Sequence, residues 1–306
     1  MLQHCRAAIS LNNTGCLLLE QGSHQEAIST LKDAITIFTS VRRKRRKISG
    51  SEGTDTSAEP ECANKSVTQE MIDSMLYKAV QAYSRETVAA SGRANKRKSP
   101  STTVLNVVSD RDLLQTTLDT TPSSSELHLI RIDEPDFEEM MSRPSGNSED
   151  DGYGDLDVEC AIVLHNLATS YLALSCSHGK KVNANRNKRR NLRKAARKVF
   201  HVAQTILFTR REAYCTGDSD GEGCSTWYCS KMLYVEYIVL CHLTQLSKAG
   251  HLDGLDPAEA DPAEADTALD LYCEICNLRL IIQDIGDFER SQSPYQMITQ
   301  TSAPAA

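Results

Sequence analysis

Cys273 and Cys276 form a C-x-x-C pair, and Cys224, Cys229, Cys241 and His242 precede it, a collection of soft ligands of the type that holds zinc. Structural zinc sites place two such pairs on turns. Here the pair stands inside LYCEICNLRL, an apolar helical pattern, so packing of the thiols is the preferred reading and no metal is expected. The segment CTGDSDGEGC alternates Asp218, Asp220 and Glu222 before Gly223, as a calcium loop does. An EF-hand needs a bidentate Glu six residues after that glycine, and Cys229 occupies the place. The chain also lacks a G-x-S-x-G elbow, a phosphate-cradling G-x-x-x-x-G-K-[ST], a dinucleotide fingerprint and H-E-x-x-H. A non-enzymatic protein without catalytic residues or cofactors is therefore expected.

Charge is the second signal. Arg42, Arg43, Lys44, Arg45, Arg46 and Lys47 run unbroken, and Lys96, Arg97 and Lys98 make a shorter cluster. The first run is either a nuclear-import candidate, which needs an extended and accessible setting, or the solvated end of a helix, where cations oppose the macrodipole. Residues 179–198 hold ten Lys or Arg and no acid, whereas residues 133–159 hold eleven Asp or Glu and one Arg. The basic stretch can contact phosphate, but it lacks the interleaved aromatics that stack bases, and it can equally pair with the acidic stretch of the same chain.

Four apolar helical blocks must position these groups. With 306 residues, 5% aromatics and a mean hydropathy of −0.40, much of the chain is expected to lie outside any core. Residues 1–40 read as a helix pair capped at Gly22, with Leu11, Gly15, Leu18 and Leu19 on one helix and Ala27, Leu31, Ala34 and Ile35 on the next. Residues 68–90 make an amphipathic helix through Met71, Ile72, Met75, Leu76, Ala79, Val80 and Tyr83. Residues 158–290 give two further pairs, with a basic insert and an acidic loop built on DPAEADPAEAD. Residues 41–67 (basic and Ser-rich), 91–157 (acidic toward the end) and the tail 291–306 carry too little apolar surface to offset ordering, so they are expected to be mostly disordered. Two pieces stand out from that background: TVLNVV near Thr103 and the more hydrophobic LHLIRI at Leu127, short strands or extended segments lying against the helices. The N-terminus lacks the basic stretch and long apolar run of a secretory leader, and no apolar stretch is expected to span a bilayer. An intracellular setting, nucleus or cytoplasm, with free thiols follows.

The spacing resembles the tetratricopeptide repeat. Leu11, Gly15, Leu18, Ala27, Leu31 and Ala34 match its small and large positions, including the EQGSHQEAI turn. Leu164, Leu167, Ala168 and Tyr171, followed by Ala196, Phe200 and Ala203, match it again, and Ala268, Tyr272 and Ile275 match part of a third unit. The resemblance implies an all-α fold of irregular antiparallel helix pairs, an α-solenoid with long inserts, in which small residues let paired backbones approach. It further implies that first helices line a concave surface. Asn13 and Asn166 stand at equivalent places there, with Asn12, His165 and Thr169 as neighbours, and their amides are suited to the backbone of an extended ligand. If so, alanine at both asparagines weakens partner binding and leaves melting nearly unchanged. The expected function is an adaptor or scaffold that binds a protein or peptide partner, with a nuclear or nucleic-acid-associated factor as the alternative.

Overall fold

In the computed structural model the described residues are 2–48, 67–91, 102–106, 127–132, 155–177, 184–216, 226–252, and residues 271, 273, 275, 276 and 278. They are mostly helical. In chain order the elements are α1 (Leu2–Glu20), α2 (His24–Ile48), α3 (Gln69–Ser91), β1 (Thr102–Asn106), β2 (Leu127–Arg131), α4 (Asp155–Ser177), α5 (Ala184–Thr216) and α6 (Thr226–Leu252). The chain divides into two compact units, Met1–Val107 with Ser125–Arg210, and Val108–Ser124 with Arg211–Ala306.

In the first unit, α1 ends as its sequence dictates. Gly22 adopts φ 82°, its N–H donates to Leu19 O at 2.9 Å, and the Ser23 N–H donates to Leu18 O at 2.9 Å, which closes the helix in a Schellman motif and reverses the chain into α2. The close approach of α1 and α2 depends on Gly15. A Cβ there would lie 2.7 Å from Leu31 Cγ, so the leucine fills the space a side chain would need. Ala27, Leu31, Ala34 and Phe38 are fully buried on the facing side of α2.

Around this hairpin, α3 packs on α1 while α4 packs on α2. The α3 contact runs through Ile72 and Ala79, with Met75, Leu76 and Tyr83 half-buried. Met71 and Val80, which the sequence pattern placed on the same face, are exposed, because they flank the 72–76–79–83 stripe by about a quarter turn each. On α5, Ala196, Phe200, Ala203 and Leu207 are fully buried, and the Phe200 ring meets His165 of α4 at 5.5 Å between centroids. Within the first helix of that pair Leu167 and Ala168 are buried, whereas Leu164 and Tyr171 are half-buried.

Two sequence expectations need amending. α2 does not stop near residue 40. Val41 is 2% exposed and continues the stripe of Ala27, Leu31, Ala34 and Phe38, so the basic run forms the last turns of the helix. α4 is also longer and more apolar than expected: over Leu156–Ser177 it is by length and composition able to cross a membrane. About three-quarters of that stretch is buried inside the protein, where it supplies core to its neighbours, so the fold itself accounts for its apolarity.

In the second unit, α6 is buried on every side from residue 231 to 240, and Glu236 within it accepts from Arg211 Nη1 at 3.1 Å. Leu271 and Leu278, one heptad apart, are buried, while Cys273 and Cys276 lie off that stripe and are exposed. Cys276 is therefore not the packed residue that the sequence pattern suggested. The inserts expected to be disordered lie largely outside the described residues, as do Lys96, Arg97, Lys98, the segment 217–225 and the DPAEADPAEAD stretch.

Candidate strand-binding groove

Residues 127–132 run extended across α1 and α4, and the helices hold them by their peptide groups. Asn166 of α4 addresses one residue twice: its Oδ1 accepts the Ile130 N–H at 3.0 Å, and its Nδ2 donates to Ile130 O at 2.7 Å. Asn13 of α1 does the same two residues on, accepting the Ile132 N–H at 3.0 Å and donating to Ile132 O at 2.8 Å. His165 Nε2 lies 3.0 Å from His128 O; because a carbonyl only accepts, Nε2 carries the proton. Asn12 Nδ2 adds a bond to Ile130 O at 3.2 Å, and its Oδ1 accepts from Asn166 Nδ2 at 2.9 Å, which fixes the orientation of both amides.

The contacts therefore fall on residues 128, 130 and 132, every second residue. In a strand, alternate residues present their N–H and C=O to opposite edges, so one edge of β2 faces the asparagines while the other pairs with β1. That pairing is parallel, with Thr102 opposite Leu127 and Asn106 opposite Arg131. Each carboxamide offers a donor and an acceptor side by side, as a neighbouring strand's peptides do. Two helices thus complete a sheet edge without supplying a strand.

Side chains of the segment are held as firmly. Leu129, Ile130 and Ile132 are at most 1% exposed, and Leu127 and His128 are buried. Arg131 is the exception. Its Nη2 lies 2.9 Å from Glu20 Oε2 at the end of α1, and both side chains remain partly accessible.

Burial sets the electrostatics. Desolvation pushes the Cys16 thiol up to about 12, with the Arg131 charge opposing and the Glu20 charge adding. This sulfur lies beneath the strand, 3.7 Å from Ile130 O and 3.4 Å from Asn166 Nδ2, as a weak participant in the same network. Desolvation likewise lowers His165 to about 4, opposed by its bond to His128 O, so the ring is neutral at physiological pH. Cys160 is pushed up to about 11 by burial, with Arg42 opposing. Such thiols are packed and unreactive. Among the described residues no group of three or more His, Cys, Asp or Glu is arranged to hold a metal.

Of the residues singled out from sequence, Asn12, Asn13, His165 and Asn166 meet on the strand, while Thr169 returns its hydroxyl to His165 O within its own helix. Cys16 and Glu20 were missed as lining residues. Their signal was the spacing 12, 16, 20, which puts them on the asparagine face of α1. The basic run lies elsewhere: Arg42 Nε bonds Asp157 Oδ1 at 3.0 Å, and Arg210 Nε bonds Asp157 Oδ2 at 2.9 Å, so one carboxylate ties α2, α4 and α5. Arg43 and Lys44 are exposed on the helix. No protein-family model, no curated protein and no solved structure matches this chain.

Proposed function

We propose that the protein is a non-enzymatic adaptor of tetratricopeptide-like character, an irregular solenoid of helix pairs whose asparagine-lined face recognises a protein partner as an extended strand. The observation that carries this reading is the pair of two-point amide bonds from Asn166 to Ile130 and from Asn13 to Ile132. Such bonds use only what every non-proline peptide offers, and recognition of main chain is the physical basis of strand addition. The helix packing supports it too, since Gly15 over Leu31 brings α1 close to α2 and α4 brings its asparagine to the same strand.

Proximity labelling or affinity capture tests this, run with the intact chain beside an Asn13→Ala/Asn166→Ala variant. A discrete set of proteins enriched by the intact chain and depleted with the variant is expected. Equal enrichment by both, with the variant still helical, overturns the groove as the recognition surface.

One observation favours a second reading. Arg190, Lys194 and Lys198 follow at i+4 spacing on an exposed face of α5, a geometry suited to phosphate contacts in a nuclear or nucleic-acid-associated factor. Steep loss of nucleic acid binding between low and moderate salt supports it, and absence of binding at low salt removes it. The run 42–47 fits an import signal only if the last turns of α2 unwind, because import receptors take such runs extended.

A further inference from the structure

The hydrogen bonds that fix the backbone of residues 128, 130 and 132 on the helices come from side chains of α1 and α4 and end on peptide groups. None of those bonds distinguishes a strand belonging to this chain from one that does not. Selectivity resides in the side chains: buried apolar groups at 127, 129, 130 and 132, a buried imidazole at 128, and a cation at 131 facing Glu20.

We propose that β2 is an internal competitor in this groove, and that the external ligand is an extended segment of another protein with the order apolar, buried ring (His128 here), apolar, apolar, cation, apolar, which replaces β2 bond for bond. The proposal rests on the strand-binding reading above and adds the ligand's chemistry and its control. Exchange leaves the number of amide bonds unchanged, so the tether decides the outcome. A segment carried on the same chain as its site acts as a ligand at roughly millimolar concentration. For an intrinsic Kd of about 10 μM, such a competitor raises the apparent Kd about a hundredfold. A chain whose own strand is disabled therefore binds the external strand far better than the unaltered chain does.

Disabling is specific at Ile130. Proline there removes the N–H that Asn166 Oδ1 accepts, and it alters no residue of α1 or α4. The probe is a fluorescein-labelled peptide, SELHLIRIDE, titrated by anisotropy into the full-length chain and into full-length Ile130→Pro. Saturable binding at least tenfold tighter to Ile130→Pro is expected. It should be abolished by adding Asn13→Ala and Asn166→Ala, and absent for a peptide with proline at the Ile130 position. A peptide with Glu in place of Arg131 should bind a few-fold more weakly, and Glu20→Arg should invert that preference.

If Ile130→Pro loses helicity by circular dichroism, the peptide should restore it, and failure to restore it overturns the proposal. So does absence of binding by a helical Ile130→Pro chain up to about millimolar peptide. Sedimentation of the unaltered chain as a dimer that Ile130→Pro dissolves would make a second copy the occupant and overturn the external partner. Peptide binding that survives loss of both asparagines would instead refute the strand-binding reading itself. Absent binding with asparagine variants that still destabilise the chain would refute only the exchange.

Discussion

Asn166→Ala is the most informative single perturbation, because the structure separates its consequences from those of the equivalent change at Asn13. Asn166 is fully buried and makes three short bonds, to the Ile130 N–H, to Ile130 O and to Asn12 Oδ1. Removing it leaves Ile130 O with the Asn12 amide, but strands the Ile130 N–H and Asn12 Oδ1 where water does not reach. Each stranded buried group costs about 1–3 kcal/mol, so the variant should lose about 2–6 kcal/mol. Asn13 is half-exposed, and water can replace its amide at Ile132, which limits Asn13→Ala to about 1 kcal/mol. Read from spacing alone, the two asparagines are equivalent and both replaceable without loss of stability; the strand seated on them reverses the second expectation and splits the first. Urea unfolding followed by circular dichroism gives the two losses, and amide exchange at Ile130 shows whether the strand detaches locally. Equal losses below about 1 kcal/mol, with Ile130 as protected as in the parent, would refute the reasoning.

Other changes test neighbouring parts of the argument. His165 is held near 4 against 6.5 when unfolded, so the unfolded chain binds more protons between those values. Stability is full above about pH 6.5 and falls toward pH 4 by roughly 2–3 kcal/mol; thermal melts from pH 7.5 to 4.5 should show this slope, and His165→Gln should flatten it. Gly15→Ala gains about 1 kcal/mol of helix propensity, but places a carbon against the Leu31 branch point and should lose about 1–3 kcal/mol to overpacking, a loss that Leu31→Ala in the same chain reduces. Asp157→Asn removes the charge shared by two partly exposed arginines and should cost about 1 kcal/mol at low salt, less at high salt. Cys16, buried with its thiol near 12, should resist alkylation in the parent and react in Ile130→Pro, as read by mass spectrometry of its tryptic peptide.

The α1–α2 hairpin is legible in sequence because its determinants are local. Gly22 caps one helix, Ala27, Leu31 and Ala34 repeat at the period of the next, and Gly15 answers Leu31 across a single turn of chain. The extent of α2 was obscured by six cations in succession, which mask the stripe that Val41 continues. The asparagine site was half legible. Asn13 and Asn166 could be placed on a common surface, and LHLIRI could be read as an extended piece against helices. Their meeting joins residues over a hundred positions apart, which no local period encodes. His165 shows the same divide: its place beside Asn166 is plain, but the burial that lowers its basicity comes from other elements, with the Phe200 ring 5.5 Å away.

An exposed strand edge is a standing invitation to pair, and folds usually blunt it with charge, proline or another strand. Here the edge of β2 ends on carboxamides that satisfy it in the geometry of a strand while remaining side chains. A true neighbouring strand would commit the edge along its whole length and add its own cross-strand side-chain pairs. Four side chains acting at every second residue commit only the peptide groups, so what distinguishes this strand from another lies in the side chains of residues 127–132. Four of these positions are buried and apolar, a demand many sequences meet, so the buried His128 and the partly exposed Arg131–Glu20 pair carry the remaining discrimination. Exposed ion pairs contribute about 1 kcal/mol or less. The groove should therefore be broad in sequence preference and strict about backbone, and a proline at position 128, 130 or 132 of an occupant should be far more disruptive than any exchange of one apolar side chain for another.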